Sequence, residues 1–185
     1  MTEFPNWFEG IQANFDWLVP RHPLRVLQIG VYTGDATMWL LANRDVQLMH
    51  DVDTWLGGGV NAPYETIDFS AVEAYYDSRI EGHGNVEKFK MTSDQYFAEE
   101  REIEPHFNFV YIDGDHSARQ TALDALNAWP LLDVGGIMAF DDYLWTSGVD
   151  GWHEPKRGIE AVLHLCAGRY QMLCENYQIW ILKTA

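Results

Sequence analysis

The sequence predicts an α/β fold: a mostly parallel sheet with helices on both faces and an antiparallel hairpin at its end. Short apolar runs alternate with stretches of helical periodicity from residue 25 onward, the order of a parallel sheet with crossover helices. Two such runs, 107–112 and 137–140, flank a segment in which Ala118, Ala122, Ala125, Leu126 and Trp129 recur at helical spacing before Pro130. A right-handed crossover makes those two strands parallel and brings their ends to one edge of the sheet. Finally, 170–173 and 178–182, joined by Glu175-Asn-Tyr, read as a closing hairpin.

The elements follow in order. Residues 5–19 place Trp7, Phe8, Ile11, Phe15 and Leu18 on one face of a helix that Pro20 and Pro23 end. The run 25–29 is a buried strand, followed by a Gly30-Val-Tyr-Thr-Gly34 loop and a helix over 35–43. Strand, glycine loop and helix together bring backbone N–H groups close to a ligand, although a tight turn alone uses the same glycines. The loop lacks the G-x-G-x-x-G of dinucleotide folds, which disfavours NAD and leaves a ligand without a pyrophosphate. Residues 46–52 form a second strand leading to Asp53, an acid placed where ribose hydroxyls are commonly held. His50 in this stretch reads as a strand residue rather than a metal ligand. Residues 54–69, with three consecutive glycines, are an irregular connection and a candidate lid.

Ser70-Ala-Val-Glu73 has the pattern of a capping box opening a helix through Val72, Tyr76 and Ile80. A third strand spans 85–90, and Ser93 and Asp94 after it serve either as helix caps or as ligand contacts. Residues 143–153 form an aromatic, glycine-rich loop. Pro155 then starts a helix carrying Ile159, Val162, Leu163 and Cys166 on one face, and Gly168 ends it. Trp55, Tyr143, Trp145 and Trp152 are candidates to line an acceptor pocket.

The chemistry concentrates at the central crossover. Each flanking strand ends in a pair of carboxylates, Asp113 with Asp115 and Asp141 with Asp142. Single pairs of this kind are often solvated turn residues or caps. Four acids converging on one sheet edge repel one another unless a positive charge lies between them, and oxygen-only ligands point to Mg²⁺ or a similar hard cation.

Composition narrows the function. A chain of 185 residues suits one domain with its own core, the N-terminal helix occupying 1–23. A net charge of −16 argues against a phosphate-backbone partner, while leaving room for a small molecule in a local pocket. Cys166 and Cys174 match no zinc spacing and are expected as free thiols, in keeping with a reducing cytoplasm. Glu3, Asn6 and Glu9 are unlike a signal peptide, and no apolar run reaches membrane-spanning length. So aromatic a chain has surface to bury in a homo-oligomer.

Taken together, the motifs resemble those of class I S-adenosylmethionine-dependent methyltransferases, within them the metal-dependent O-methyltransferases and especially the macrocin O-methyltransferase-like group (methyltransferase domain 24). Val-Leu-Gln-Ile-Gly-Val-Tyr-Thr-Gly at 26–34 is similar to the family's first motif and Val-Asp-Thr-Trp at 52–55 to its second. Tyr-Ile-Asp-Gly-Asp-His at 111–116, with Leu-Leu-Asp-Val-Gly-Gly-Ile-Met-Ala-Phe-Asp-Asp-Tyr at 131–143, resembles its most specific pair. Caffeoyl-CoA and catechol O-methyltransferases share the layout, usually with Asp-Asn where this chain has Asp141-Asp142. The similarity runs from about residue 25 to 165.

The resemblance implies a Rossmann-like, seven-stranded sheet with the last hairpin antiparallel. It implies that Gly30, Tyr32 and Gly34 cradle the methionine part of the cofactor and that Asp53 holds the ribose. Ser93 and Asp94 would lie beside the adenine. Asp113, Asp141 and Asp142 become the Mg²⁺ ligands, Asp113 also bordering the cofactor, and Asp115 becomes a general base. His116, where the caffeoyl-CoA type has lysine, either orients the acceptor or caps the next helix. The family usually has an acid at Gln28 that helps position the cofactor amine or its loop; as a cofactor-binding residue Gln28 can still accept a hydrogen bond but brings no charge. The expected activity is metal-dependent O-methylation of a small hydroxylated acceptor such as a sugar, natural product or catechol-like diol. The alternative is a cofactor-binding or structural module of the same fold that transfers nothing.

Overall fold

A computed structural model describes residues 4–57, 67–99 and 106–185. Seven strands form one sheet: β1 (Leu24–Ile29), β2 (Val46–Asp53), β3 (Val86–Lys90), β4 (Phe107–Ile112), β5 (Leu132–Phe140), β6 (Tyr170–Glu175) and β7 (Ile179–Lys183). Their order is β3-β2-β1-β4-β5-β7-β6. Pairing is parallel from β3 through β5, and β7 runs antiparallel to both β5 and β6. This is the expected Rossmann-like arrangement with its antiparallel hairpin. The chain builds outward from β1 to β2 and β3, then returns to add β4 on the other side of β1. That reversal leaves a crevice between the carboxyl ends of β1 and β4, where open α/β sheets bind ligands.

Among the described residues six α-helices cover the sheet: α1 (Gln12–Leu18), α2 (Asp35–Asn43), α3 (Phe69–Ile80), α4 (Ser93–Ala98), α5 (Ala118–Ala128) and α6 (Pro155–Leu165). Because side chains alternate along a strand, neighbours in β1 supply different cores. Leu27 and Ile29 pack with Val110, Met138 and Phe140 under Ala125, Ile159 and Val162. Leu24 and Val26 pack with Phe109, Tyr111 and Trp180 under Phe15, Trp39 and Leu40. Phe15 is fully buried, with edge-on contacts to Phe109, Tyr111 and Trp180.

Three local expectations need correction. The single helix expected over 5–19 is a 3-10 turn at Phe8–Gly10 followed by α1, and the change of pitch takes Trp7 off the buried face. The capping box expected at Ser70 and Glu73 is absent; Asp68 caps α3 by accepting from Ser70 N and Ala71 N. Glu73 instead pairs with Lys88 and Lys90 of β3. Likewise α4 is capped by Thr92 in a capping box with Gln95, so Ser93 and Asp94 are not its caps. Of the candidate lid, 58–66 lies outside the described residues. Both cysteines are free thiols. Among the described residues, no helix is long and apolar enough to cross a membrane.

Candidate active site

The crevice opens into a cavity of about 800 Å³ bounded by the loops after β1, β2, β4 and β5. The β1 and β4 loops approach so closely that a Cβ on Gly30 (φ +85°) would lie 1.9 Å from the Asp113 carbonyl oxygen, so only glycine fits there. Three non-glycine residues, Tyr32, Trp55 and Asp142, have positive φ, and all three line this cavity. Left-handed backbone costs on the order of 1 kcal/mol or more per residue and gathers where geometry serves a site.

Asp53 braces the glycine loop. Its Oδ2 accepts from the backbone N–H of Val31 (2.7 Å) and Tyr32 (3.0 Å), and its Oδ1 from that of Trp55 (2.8 Å). A carboxylate has about four acceptor positions, so the residue faces the cavity with capacity to spare. Gln28 supports the same loop from behind. It is buried, and its Nε2 donates to the Gly30 carbonyl at 3.0 Å. Neither Gln28 nor Gly34 lines the cavity, whereas Gly30 and Tyr32 do. Gly34 instead supplies the left-handed turn into α2 against the Tyr76 ring.

Ser93 and Asp94 reach the cavity beside Gln120, whose Nε2 donates to Ser93 Oγ, Asp94 Oδ1 and Asp124 Oδ1 at 2.9–3.2 Å. Burial pushes the Asp124 carboxyl up to about 6.

At the opposite end the acids converge as the crossover requires. Asp141 is only 9% exposed. Its Oδ2 accepts from Tyr111 OH (2.5 Å), and its Oδ1 from Gln178 Nε2 (3.1 Å) and the Asp142 N–H (2.8 Å). Gln178 is oriented for this, because its Oε1 already accepts from Asn14 and Trp180. Asp142, at φ +58°, turns outward to accept from Tyr177 OH at 2.8 Å and to meet His116 Nε2 at 3.1 Å. His116 lies edge-on to Trp145, 4.9 Å between ring centres. Asp113, His116 and Asp142 each offer a ligand atom within 4.8 Å of the others. The structure thus groups His116 with two of the three expected metal ligands and leaves Asp141, which also lines the cavity, outside that group. Asp115 is exposed at the rim, its Oδ1 accepting from Ser117 N at 2.7 Å.

The electrostatics match this crowding. Burial, then the charges of Asp141 and Asp142, hold the Asp113 carboxyl well above the ordinary carboxylate range. Burial, then Asp142, pushes Asp141 up to about 6. Tyr111 and Tyr177 are pushed up by burial and by these same acids, so both phenols stay neutral donors. A cation among the acids would relieve the repulsion that raises Asp113 and Asp141.

Of the loop aromatics, Trp55 and Trp145 line the cavity, while Tyr143 and Trp152 do not. His50 lies away from it, hydrogen-bonded to Tyr96 OH at 2.8 Å. Trp7, Tyr111, Gln120, Tyr177 and Gln178 were not singled out in the sequence as site residues. Tyr111 was within reach, because strand alternation puts it on the same face as Asp113 two residues on. Tyr177 and Gln178 arrive on the distant hairpin and carry no local signal.

A family model described as a methyltransferase domain matches residues 27–143, more than half of the chain and every loop of the site up to β5. The chain belongs to this methyltransferase family. It is an S-adenosylmethionine-dependent methyltransferase. No curated protein matches its sequence. Among solved structures, the methyltransferase is similar to an O-methyltransferase from Bacillus cereus in complex with S-adenosylhomocysteine. That match has 16% identity and a TM-score of 0.62, covering 98% of this chain and 94% of the other. It is also similar to MycE, a methyltransferase of the mycinamycin biosynthetic pathway in complex with Mg, S-adenosylhomocysteine and mycinamycin VI. Here identity is 16% and TM-score 0.61, over 98% of this chain and 50% of that one. An rRNA methylase from Streptococcus thermophilus matches with 14% identity and TM-score 0.58, over 100% of this chain and 99% of that one. At such identities the shared feature is the fold, which several acceptor classes use.

Proposed function

We propose that this methyltransferase is a divalent-metal-dependent O-methyltransferase acting on a small, uncharged or cationic molecule with neighbouring hydroxyls. The observation that carries the reading is the convergence of Asp113, His116 and Asp142 at one end of the cavity. Acids stacked this closely fit a divalent cation. The other end, with Asp53, Ser93 and Asp94 about the glycine loop, fits the nucleoside and amino-acid parts of the cofactor.

S-adenosylmethionine supplies an activated methyl group when bound. A divalent cation supplies positive charge that makes a hydroxyl more acidic at neutral pH. The protein's own work is alignment and proton handling. The braced glycine loop fixes one end of the crevice, and the packed acids with Tyr111, Tyr177 and Gln178 fix the other. Asp115, exposed at the rim, is suited to receive the hydroxyl proton. Trp145 and Trp7 present flat apolar surface to an acceptor and exclude water. Six aspartates and no Lys or Arg are among the described residues lining the cavity. With the net charge of −16, this supports a small acceptor over RNA and disfavours a phosphorylated or CoA-bound one. The non-transferring alternative drew on Gln28, and its hold on the Gly30 carbonyl supports a working glycine loop instead.

The test is mass-spectrometric detection of S-adenosylhomocysteine and a methyl ether from neutral diol acceptors, with a divalent cation and with EDTA. We expect cation-dependent product, and a loss of roughly 100-fold or more in Asp142→Asn with S-adenosylhomocysteine affinity kept. Product undiminished by EDTA would sink the metal dependence. Tight S-adenosylhomocysteine binding with no turnover on any diol would favour the non-transferring module.

A further inference from the structure

The two ends of the acidic cluster are not equivalent. Asp141 is buried, and its oxygens accept three hydrogen bonds, from Tyr111, Gln178 and the Asp142 N–H, with Gln178 itself held by Asn14 and Trp180. That leaves it one acceptor position, on Oδ2, where an ion would sit against the buried Tyr111 hydroxyl. Asp142 is differently placed. From a left-handed backbone its carboxylate reaches Tyr177 and His116. His116 is held edge-on by Trp145, and its Nδ1 finds no hydrogen-bond partner among the described residues. The fold therefore leaves the ring's tautomer to whatever meets Nε2, and Nε2 faces the carboxylates.

We propose that the cation of this site is held by Asp113, Asp142 and the imidazole of His116, with Asp141 as a positioning residue, so that the site selects a first-row transition ion such as Co²⁺ or Mn²⁺ over Mg²⁺. This rests on the metal-dependent reading above and specifies its ligand set. The chemical reason is the donor type. Carboxylates alone suit Mg²⁺, which is reluctant to exchange oxygen for nitrogen, whereas imidazole raises affinity for first-row transition ions. Asp141 contributes by orienting Tyr111 and the Asp142 backbone, and by adding negative charge beside the site.

Pulsed electron paramagnetic resonance of the Mn²⁺-loaded protein reads the proposal directly, because a coordinated imidazole imposes ¹⁴N modulation on the manganese signal. Calorimetric titration of Mn²⁺ and Mg²⁺ into the protein with S-adenosylhomocysteine present gives the affinities. Nitrogen modulation is expected in the wild type and absent in His116→Gln. That variant should lose roughly tenfold or more in Mn²⁺ affinity while Mg²⁺ affinity changes much less. Asp141→Asn should retain both the ion and the nitrogen signal, with a smaller loss of affinity. Unchanged S-adenosylhomocysteine binding in each variant establishes that it is folded. Bound Mn²⁺ without nitrogen modulation, together with loss of the ion in Asp141→Asn, overturns the proposal and leaves an all-carboxylate metal site. Failure of the wild type to bind either cation overturns the proposal and the metal-dependent reading together.

Discussion

Asp51 shows how the glycine loop is supported although Gln28 brings no charge. It is fully buried in β2, paired in register with Gln28 of β1, and its Oδ2 accepts from Thr37 Oγ1 and Tyr76 OH, each at 2.8 Å. Thr37 also approaches Gln28 Oε1 at 3.4 Å. The carboxyl missing at Gln28 thus has a counterpart one strand away, under the same glycine loop. A second acid at Gln28 would be buried beside Asp51 with only the Thr37 hydroxyl between them, which favours an amide there. Burial pushes the Asp51 carboxyl from 3.8 to about 7. A folded-state pKa above the unfolded one means that the native state favours the neutral form. The resulting stabilisation is complete below about 3.8 and is lost as pH rises through about 7. Urea unfolding at pH 5 and pH 8 should show a larger fall in stability for the wild type than for Asp51→Asn. Whatever slope the variant retains belongs to Asp113, Asp124 and Asp141, which shift in the same direction. Equal falls would mean that Asp51 is ionised throughout.

At the scale of elements, the position of His116 depends on how α6 meets α5. A Cβ on Gly158 of α6 would lie 2.2 Å from the carbonyl oxygen of Ala118, at the first residue of α5. Two opposing effects decide a Gly158→Ala change. Helix propensity favours alanine by about 1 kcal/mol, while overpacking costs about 1–3 kcal/mol. The obstacle is backbone and has no rotamer to escape into, so the clash wins. Thermal unfolding should fall by roughly 2–8 °C, and the displaced start of α5 should weaken cation binding through His116. A rise in melting temperature would show that the helices separate freely. The same contact explains a limit of sequence reading. The α6 pattern of Ile159, Val162, Leu163 and Cys166 identified its buried face, yet Gly158 carried no mark of the helix it would touch. The Asp68 cap was overlooked for a related reason: Ser70 and Glu73 have the spacing of a capping box, but Lys88 and Lys90 on β3 draw Glu73 away.

For the whole molecule, charge sets the range of acceptors. The field of an acidic protein enters a cavity lined by six aspartates, where low-dielectric walls concentrate it. Among acceptors sharing a dihydroxybenzene ring, 3,4-dihydroxybenzoate should show a KM roughly tenfold above that of 3,4-dihydroxybenzamide at low ionic strength. The gap should narrow as salt is raised, because screening shortens the reach of the field. Comparable KM values at low salt would mean that the bound cation neutralises the cavity fully.

Periodicity, turn residues and two pairs of acids sufficed to define the parallel sheet, the crossover and the edge at which Asp113, Asp115, Asp141 and Asp142 meet. Those features are local, because strand alternation, helical spacing and the hand of a crossover are properties of short stretches of chain. What holds each carboxylate is not local. Asp141 and Asp142 are adjacent in sequence, and the hairpin separates their roles, bringing Gln178 to one and Tyr177 to the other. His116 joins the acids from the loop between β4 and α5, where its Nε2 meets Asp142 of the loop after β5. The sequence determined where the charges gather; packing between distant elements decided how deeply each is buried and which side chains hold it.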